Sequence, residues 1–202
     1  MLESRWFKLM KSMGFSENRE TLETLIGAYS QSGRYYHNVS HLISVLKCLD
    51  STVHLAENRH AIKLALWFHD SVYEPFSASN EIDSAKWALR FLKENGACEA
   101  SAQYVYNLIM ATAHSRPPET NDERLIVDID LSVLGAADHA YDKFANGVRK
   151  EYQKVPSFIY RIKRKKILSS FLKRERIYFF GYFFEVYESI ARENIRREIS
   201  CL

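Results

Sequence analysis

Apolar side chains recur at intervals of three and four residues along most of the chain. This is the period of an amphipathic helix, whereas a half-buried strand would alternate strictly. The spacing predicts helices around nine stretches: 22–29, 42–49, 61–68, 85–92, 102–112, 122–134, 138–153, 157–173 and 182–199. Asn95-Gly96 and the run Arg116-Pro117-Pro118 end two of them with residues typical of helix termini. The pattern predicts an all-α fold, with at most a short hairpin besides.

The composition is that of a folded globular protein with one core. The chain has 202 residues, of which 47% are hydrophobic and 26% are charged. A chain of this length buries one good core. Only seven glycines and four prolines argue against a turn-rich β-sandwich. Since no internal repeat or low-complexity linker divides the sequence, we predict a single domain over residues 1–202.

Cysteine use and hydropathy indicate a cytoplasmic protein. Cys48, Cys98 and Cys201 are far apart and odd in number, which excludes a disulfide scaffold and a zinc finger. We expect each cysteine to be a buried small hydrophobe. Charged residues interrupt the first ten positions, unlike the apolar run of a signal peptide. The most apolar stretch, 177–184, is far shorter than the ~20 residues of a membrane-spanning helix, so we expect no membrane partner.

A His-Asp doublet stands at the end of a strongly apolar helix. His69-Asp70 directly follows the run 64–68, so an imidazole and a carboxylate lie at the inner end of a helix that we predict to be buried. Burying a carboxylate is costly unless a cation or hydrogen-bond donors satisfy it. Candidate partners are other histidines and acids: His37, His41, Asp128 and Asp130. Mixed imidazole and carboxylate groups suit a divalent metal ion such as Mn, Mg, Fe, Co, Ni or Zn.

Asp128 and Asp130 cannot both face one metal ion. They are two residues apart, so on a helix their side chains point about 200° apart. The residue that does not face the metal either supports a ligand through a hydrogen bond or carries a charge on the helix surface. Spacing alone leaves open which of the two is the ligand.

Several motifs in this order resemble those of a known superfamily. Tyr36-His37-Asn38-Val39-Ser40-His41 resembles the YHNxxH motif of cyclic-nucleotide phosphodiesterases, and His41, His69-Asp70 and Asp130 resemble the H…HD…D signature of the HD superfamily of metal-dependent phosphohydrolases. The chain is most similar to a bacterial family of HD phosphohydrolases, through motifs that span residues 35 to 195. They are Phe68-His69-Asp70-Ser71-Val72-Tyr73, Asn80-Glu81-Ile82-Asp83-Ser84-Ala85, Thr112-Ala113-His114, Asp128-Ile129-Asp130-Leu131-Ser132-Val133-Leu134-Gly135, Arg149-Lys150-Glu151-Tyr152 and Ala191-Arg192-Glu193-Asn194.

This resemblance implies a fold and a ligand set. The fold is the HD-domain helical bundle, in which separate helices supply four metal ligands. The implied ligands in this chain are His41, His69, Asp70 and Asp130. Asp130 is preferred to Asp128 because the ligand aspartate of the similar families directly precedes a leucine.

The expected activity is hydrolysis of a phosphomonoester or phosphodiester bond, of a nucleotide, by attack of a metal-bound water. Asp70 would ligate the metal and hold that water, and His37, by resemblance to the phosphodiesterases, would protonate the leaving oxygen. His114 and Arg149 are candidates for binding the substrate phosphate. Two plainer interpretations stay open: His37 as a hydrogen-bonded residue of the tyrosine-rich loop, and His114 as a helix cap.

A basic segment supports an alternative function. Residues 161–176 contain eight lysines and arginines and one acid, so their net charge is +7, whereas the whole chain carries +3. Such a run is either a solvated helix face or a surface for a polyanion. The alternative is therefore a nucleotide-sensing or nucleic-acid-binding module. The bases of a bound nucleic acid would stack on aromatic residues near the basic segment, unless these residues form a core stripe: Phe158, Tyr160, Phe171 and Tyr178. Because all four implied metal ligands are present, we favour the enzyme and a phosphorylated small molecule as its partner.

Overall fold

The computed structural model describes residues 2–202, and these residues form ten α-helices and no strand. The all-α prediction is confirmed. The helices are α1 Leu2–Ser12, α2 Arg19–Tyr29, α3 Val39–Thr52, α4 Arg59–Phe68, α5 Asn80–Glu94, α6 Glu99–Ala111, α7 Asn121–Asp130, α8 Asp138–Glu151, α9 Ser157–Leu172 and α10 Gly181–Cys201. Within 2–202, none of them is long and apolar enough to cross a membrane.

The structure departs from the predicted elements at two places. Helix α1 was not predicted, although it carries an apolar stripe at helical spacing; the side chains of Trp6, Leu9 and Met10 in that stripe are buried. The helix expected over 122–134 is α-helical only to Asp130 and continues as a 3₁₀ turn, Leu131–Gly135.

The chain divides into two compact units. One comprises the chain up to Ser32 together with His37–Val127, and the other comprises Gly33–Tyr36 and Asp128–Leu202. Helix α7 contributes to both units, since the boundary falls between Val127 and Asp128. The organisation of the chain as a single domain stays a prediction.

Helix α4 lies at the centre of the first unit. Every side chain from Leu64 to Phe68 is fully buried. Trp67 meets the ring of Trp6 edge to face, with 5.2 Å between the ring centroids, a favourable geometry for aromatic pairs. At the other end of α4, the buried carboxylate of Asp122 accepts the backbone N–H groups of Glu57 and Asn58, each at 2.7 Å. Both ends of α4 are thus held, and so is the His-Asp doublet that follows it.

The second unit is built around the close approach of α10 to the 3₁₀ turn. A Cβ atom on Gly135 would lie 2.6 Å from the Cβ and 2.8 Å from the backbone oxygen of Tyr187, so only glycine fits. The same unit contains a buried ion pair in which Arg164 Nε donates to Glu198 Oε1 at 2.7 Å. Tyr141 donates its hydroxyl hydrogen to the other oxygen of Glu198 at 2.6 Å.

The cysteines are more exposed than the sequence predicted. None of the three forms a disulfide. However, Cys98 and Cys201 are exposed and Cys48 is half-buried, so the expectation of three buried small hydrophobes was wrong. Cys98 precedes α6 and Cys201 ends α10, and helix ends face solvent more often than helix middles.

Candidate metal centre

Helices α3 and α4 bring two imidazoles together. Asn38 caps α3 by accepting the backbone N–H of Ser40 at 2.8 Å, which starts the helix so that His41 lies in its first turn. His69 follows the last residue of α4, and its backbone N–H donates to Ala65 at 2.8 Å. Both side chains are buried. The Nε2 atoms of His41 and His69 lie 3.1 Å apart.

Asp70 adds a carboxylate to this pair. Its Oδ2 atom lies 3.3 Å from His41 Nε2 and 3.1 Å from His69 Nε2. Burial raises the pKa of the Asp70 carboxyl, but the neighbouring His69, His41 and His37 lower it more, so that the pKa lies well below its ordinary value. The carboxylate is therefore ionised at neutral pH.

A backbone contact sets the tautomer of His69. Its Nδ1 atom lies 2.9 Å from the carbonyl oxygen of Leu66. Because a carbonyl oxygen can only accept, Nδ1 must carry the hydrogen, and in the neutral ring Nε2 then presents its lone pair. Metal-ligating histidines are commonly oriented by such a bond from the other ring nitrogen. The Nε2 atom of His69 faces His41 Nε2 and Asp70 Oδ2, each at 3.1 Å.

Helix α7 supplies a further carboxylate at its last residue, Asp130. One ligand atom from each of His41, His69 and Asp130 lies within 4.8 Å of the other two, so these residues form a group that can hold a metal ion. Two imidazole nitrogens with carboxylate oxygens suit a divalent first-row metal. The donor set therefore fits the divalent metal ion expected from the sequence.

Asp128 is directed elsewhere and has a structural role. It is fully buried, and its carboxylate accepts the backbone N–H of Phe179 at 2.9 Å and that of Phe180 at 2.8 Å. Burial raises the pKa of Asp128 to about 7, although these two N–H groups act in the opposite direction. The alternative in which Asp128 carries a charge on the helix surface was therefore wrong. This carboxylate instead holds the entry to α10.

His37 lies beside the metal group and stacks on a tyrosine. Its ring lies 4.1 Å from that of Tyr73, centroid to centroid, at an angle of 25° between the planes. The centroid of the His41 ring is 6.1 Å away. His37 is half-buried, and it contributes to lowering the pKa of Asp70, after the larger effects of burial and the other two histidines. Tyr73 ends the Phe68–Tyr73 motif, but its contact with His37 was not predicted from the sequence.

His114 lies where α6 ends. It has a φ of 52°, in the left-handed region that glycine or asparagine usually occupies after a helix. Its backbone N–H donates to Ala111 at 3.2 Å. This position agrees with a residue that terminates the helix, and its contact with a substrate phosphate stays a prediction.

Arg149 joins the end of α8 to the start of α9. Its guanidinium donates to the carbonyl oxygens of Tyr152 at 2.7 Å and Val155 at 3.2 Å, and it lies over the ring of Tyr160, 4.7 Å from the centroid. The guanidinium thus has a structural role that the sequence did not indicate. Its contact with phosphate stays a prediction.

Other residues of the sequence motifs also hold backbone segments. Ser84 Oγ accepts the N–H of Val72 at 3.0 Å and so fixes the loop after Asp70. In the second unit, the Asn194 amide donates to the carbonyl oxygen of Leu134 at 3.0 Å, and Glu151 accepts the N–H of Tyr36 at 2.7 Å. Short polar motifs can therefore reflect the folding of loops as well as chemistry.

Comparison with known proteins adds no family assignment. No family model matches the chain, no curated protein matches it, and no solved structure matches it.

Proposed function

We propose that this protein is a metal-dependent phosphohydrolase of the HD superfamily that cleaves a phosphate ester, with a nucleotide as substrate. The observation that carries the proposal is the meeting of His41, His69 and Asp70, whose nitrogen and oxygen atoms lie 3.1–3.3 Å apart. A carboxylate between two imidazoles is costly to bury unless protons or a cation balance it, and two nitrogen ligands with one oxygen ligand suit a divalent metal ion. The order of motifs in the sequence supports the same proposal.

The metal ligands in this proposal are His41, His69, Asp70 and Asp130. The hydrogen bond of His69 to Leu66 prepares the Nε2 lone pair for a cation, and the low pKa of Asp70 keeps its carboxylate charged. A bound divalent cation polarises a phosphoryl oxygen and makes a water molecule more acidic. Since Asp70 is charged and 17% exposed, it also offers an acceptor for a hydrogen of the attacking water.

His37 is the proton donor in this mechanism. Its ring is half-buried beside the ligand group, and stacking on Tyr73 orients it. A protonated imidazole at this place gives its proton to the leaving oxygen of the ester, and general acid catalysis of this kind contributes ~10²–10⁴-fold to a rate. The ring can also stabilise the negative charge that develops on that oxygen.

A screen of metals against substrates tests the proposal. The protein is stripped of metal, each divalent ion is added back, and phosphate release is measured from nucleoside mono-, di- and triphosphates and from cyclic nucleotides. We expect hydrolysis of at least one of these classes with at least one ion. Nucleotide binding without turnover under every ion would favour the sensing module instead, and the absence of both metal binding and hydrolysis would overturn the proposal.

An isosteric variant makes the screen specific to this site. Asp70→Asn keeps the size of the side chain but removes its charge, so we expect metal content and hydrolysis to be lost together. Asp138→Asn is the matched control, because the Asp138 side chain is 81% exposed and its surface ion pair with Arg197 contributes little to stability. Activity that survives in Asp70→Asn would place the chemistry elsewhere.

A further inference from the structure

Helix α9 displays three large apolar side chains to solvent, and two of them lie one turn apart. Phe158 is 66% exposed and Ile162, one turn later, is 67% exposed, while Ile167 is 52% exposed. Lys166 continues the same line one turn later and is also exposed. Single exposed apolar residues are common on proteins, but a line of this kind on a strongly basic helix is not explained by packing.

The opposite side of α9 is the packed one. Tyr160, Arg164, Leu168 and Phe171 are all buried at helical spacing. The charge of Arg164 is balanced within the fold by Glu198, with contacts at 2.7 and 3.1 Å. The orientation of α9 is therefore fixed by its own core, and the line from Phe158 to Lys166 must face outward.

The exposed charges of α9 are all positive. The helix contains no acidic residue, and four of its five basic residues are exposed: Arg161, Lys163, Lys165 and Lys166. Just after the helix, Lys173 and Arg176 are exposed as well, together with one acid, Glu175. Such a face attracts a polyanion and repels a basic partner.

The buried aromatic residues distinguish between two polyanions. Tyr160 and Phe171 are 8% exposed and Tyr178 is fully buried, so three of the four aromatic residues that the sequence placed near this charge belong to the core. Bases of single-stranded nucleic acid bind by stacking on exposed aromatic rings, and within α9 only Phe158 offers one. The exposed rings after α9 are less accessible, at 36–40%: Phe179, Tyr182 and Phe184. Ile162 stacks poorly, whereas aliphatic and aromatic side chains together enter the acyl boundary of a bilayer.

We propose that α9 is a docking surface for an anionic lipid membrane. Phe158 and Ile162 insert into the boundary between headgroups and acyl chains, while Arg161, Lys163, Lys165 and Lys166 bind the headgroup phosphates. This proposal differs from the expectation of no membrane partner, because the sequence did not reveal which side of α9 faces outward. It does not depend on the proposed hydrolase activity.

Cosedimentation of the full chain with vesicles tests the docking. We expect binding to vesicles of phosphatidylcholine with phosphatidylglycerol, and no binding to vesicles of phosphatidylcholine alone. The double variant Phe158→Ser/Ile162→Ser should weaken binding about tenfold or more, because it removes the inserted side chains. Phe76→Ser is the matched control, since Phe76 is 65% exposed in the other unit and should leave binding unchanged.

A second set of variants tests the charge. Lys163→Gln/Lys165→Gln/Lys166→Gln should weaken binding about 100-fold, at roughly tenfold or less for each lysine near an anionic surface. The control Lys8→Gln/Lys11→Gln/Lys47→Gln removes three exposed lysines elsewhere and should have little effect. Equal binding to both vesicle types would overturn the proposal, as would failure of the wild type to bind either. The proposal would also be overturned if the protein bound RNA or DNA oligonucleotides but no vesicles, and if the double serine variant bound the oligonucleotides as well as the wild type does.

Discussion

The Nε2 atoms of His41 and His69 face each other at 3.1 Å, with the carboxylate of Asp70 against both. Since the Nδ1 hydrogen of His69 is directed to Leu66, Nε2 is the ring nitrogen that is left for a ligand, beside the charged carboxylate of Asp70. A cation satisfies all three groups at once. The pair is therefore the feature of the fold that most directly indicates a ligand.

Divalent metal should stabilise the folded protein through this pair. At a metal concentration about 100 times the dissociation constant, binding adds about 2.7 kcal/mol, which raises the melting temperature by roughly 5–10 °C for a chain of this size. His69→Ala should abolish the increase, whereas the exposed His54→Ala should retain it. Thermal unfolding followed by circular dichroism, with and without metal, measures the effect. An equal increase in both variants would contradict the assignment of His69.

His37→Ala should separate proton donation from metal binding. The four proposed ligands stay intact, so the metal content should be unchanged, while the rate on ordinary phosphate esters should fall by roughly 10²-fold or more. The loss should shrink for a nitrophenyl ester, because a good leaving group hardly needs a proton. Equal losses on both esters would make His37 a structural residue of its loop, and loss of the metal would make it a ligand.

Tyr73 should act on catalysis through the ring of His37. Tyr73→Ala removes the stacked ring 4.1 Å away, so we expect the rate to fall and the dependence on the leaving group to resemble that of His37→Ala. Tyr73→Phe keeps the ring and should retain most of the rate. Steady-state kinetics on both ester types, with metal content as a second readout, distinguishes this role from direct contact of the Tyr73 hydroxyl with substrate. If the Tyr73 hydroxyl contacts the substrate directly, Tyr73→Phe and Tyr73→Ala should reduce the rate equally.

Gly135→Ala should destabilise the second unit. The added methyl group would meet backbone atoms of Tyr187 at 2.8 and 2.9 Å, and overpacking of this kind costs about 1–3 kcal/mol. Gly181→Ala is the control in the same unit, because nothing lies within 4 Å of a Cβ added there. Urea unfolding of both variants gives the comparison, and equal midpoints would show that α10 shifts to accommodate the added methyl group.

Glu123 should make the first unit sensitive to acid. Burial raises the pKa of this carboxyl, but hydrogen bonds from Arg116 and the backbone of Glu119 lower it more, so its pKa in the folded state is below the ordinary value. The stabilisation is then present above the ordinary carboxyl pKa and is lost as the pH falls through the lower, folded-state pKa.

Glu123→Gln should therefore be less stable than the wild type at pH 7, and this difference should diminish in acid. Glu119→Gln is the control, since the Glu119 side chain is 78% exposed in its contact with Arg116. Urea unfolding at pH 7, 5 and 3 measures the free energies of both variants. A difference between Glu123→Gln and the wild type that is the same at all three pH values would contradict the shift in pKa.

The sequence by itself determined the helical class and most helix positions, because the period of buried side chains is a local property. Nine stretches were predicted, and each corresponds to a helix of the structure, α2 to α10. Helix α1 was not predicted, although its 11 residues also carry an apolar stripe at helical spacing. The His69-Asp70 doublet was also visible, since a charged pair at the end of an apolar run conflicts with burial unless it has a function.

Only the tertiary structure decided what the polar side chains meet. Asp128 and Asp130 are equivalent by composition, yet one holds the backbone at Phe179 and Phe180 while the other lies within the ligand group. Arg164 and Lys166 belong to one basic run, yet the first is buried against Glu198 and the second is in water. These partners come from segments tens of residues away, so their distances depend on how helices pack and not on local spacing.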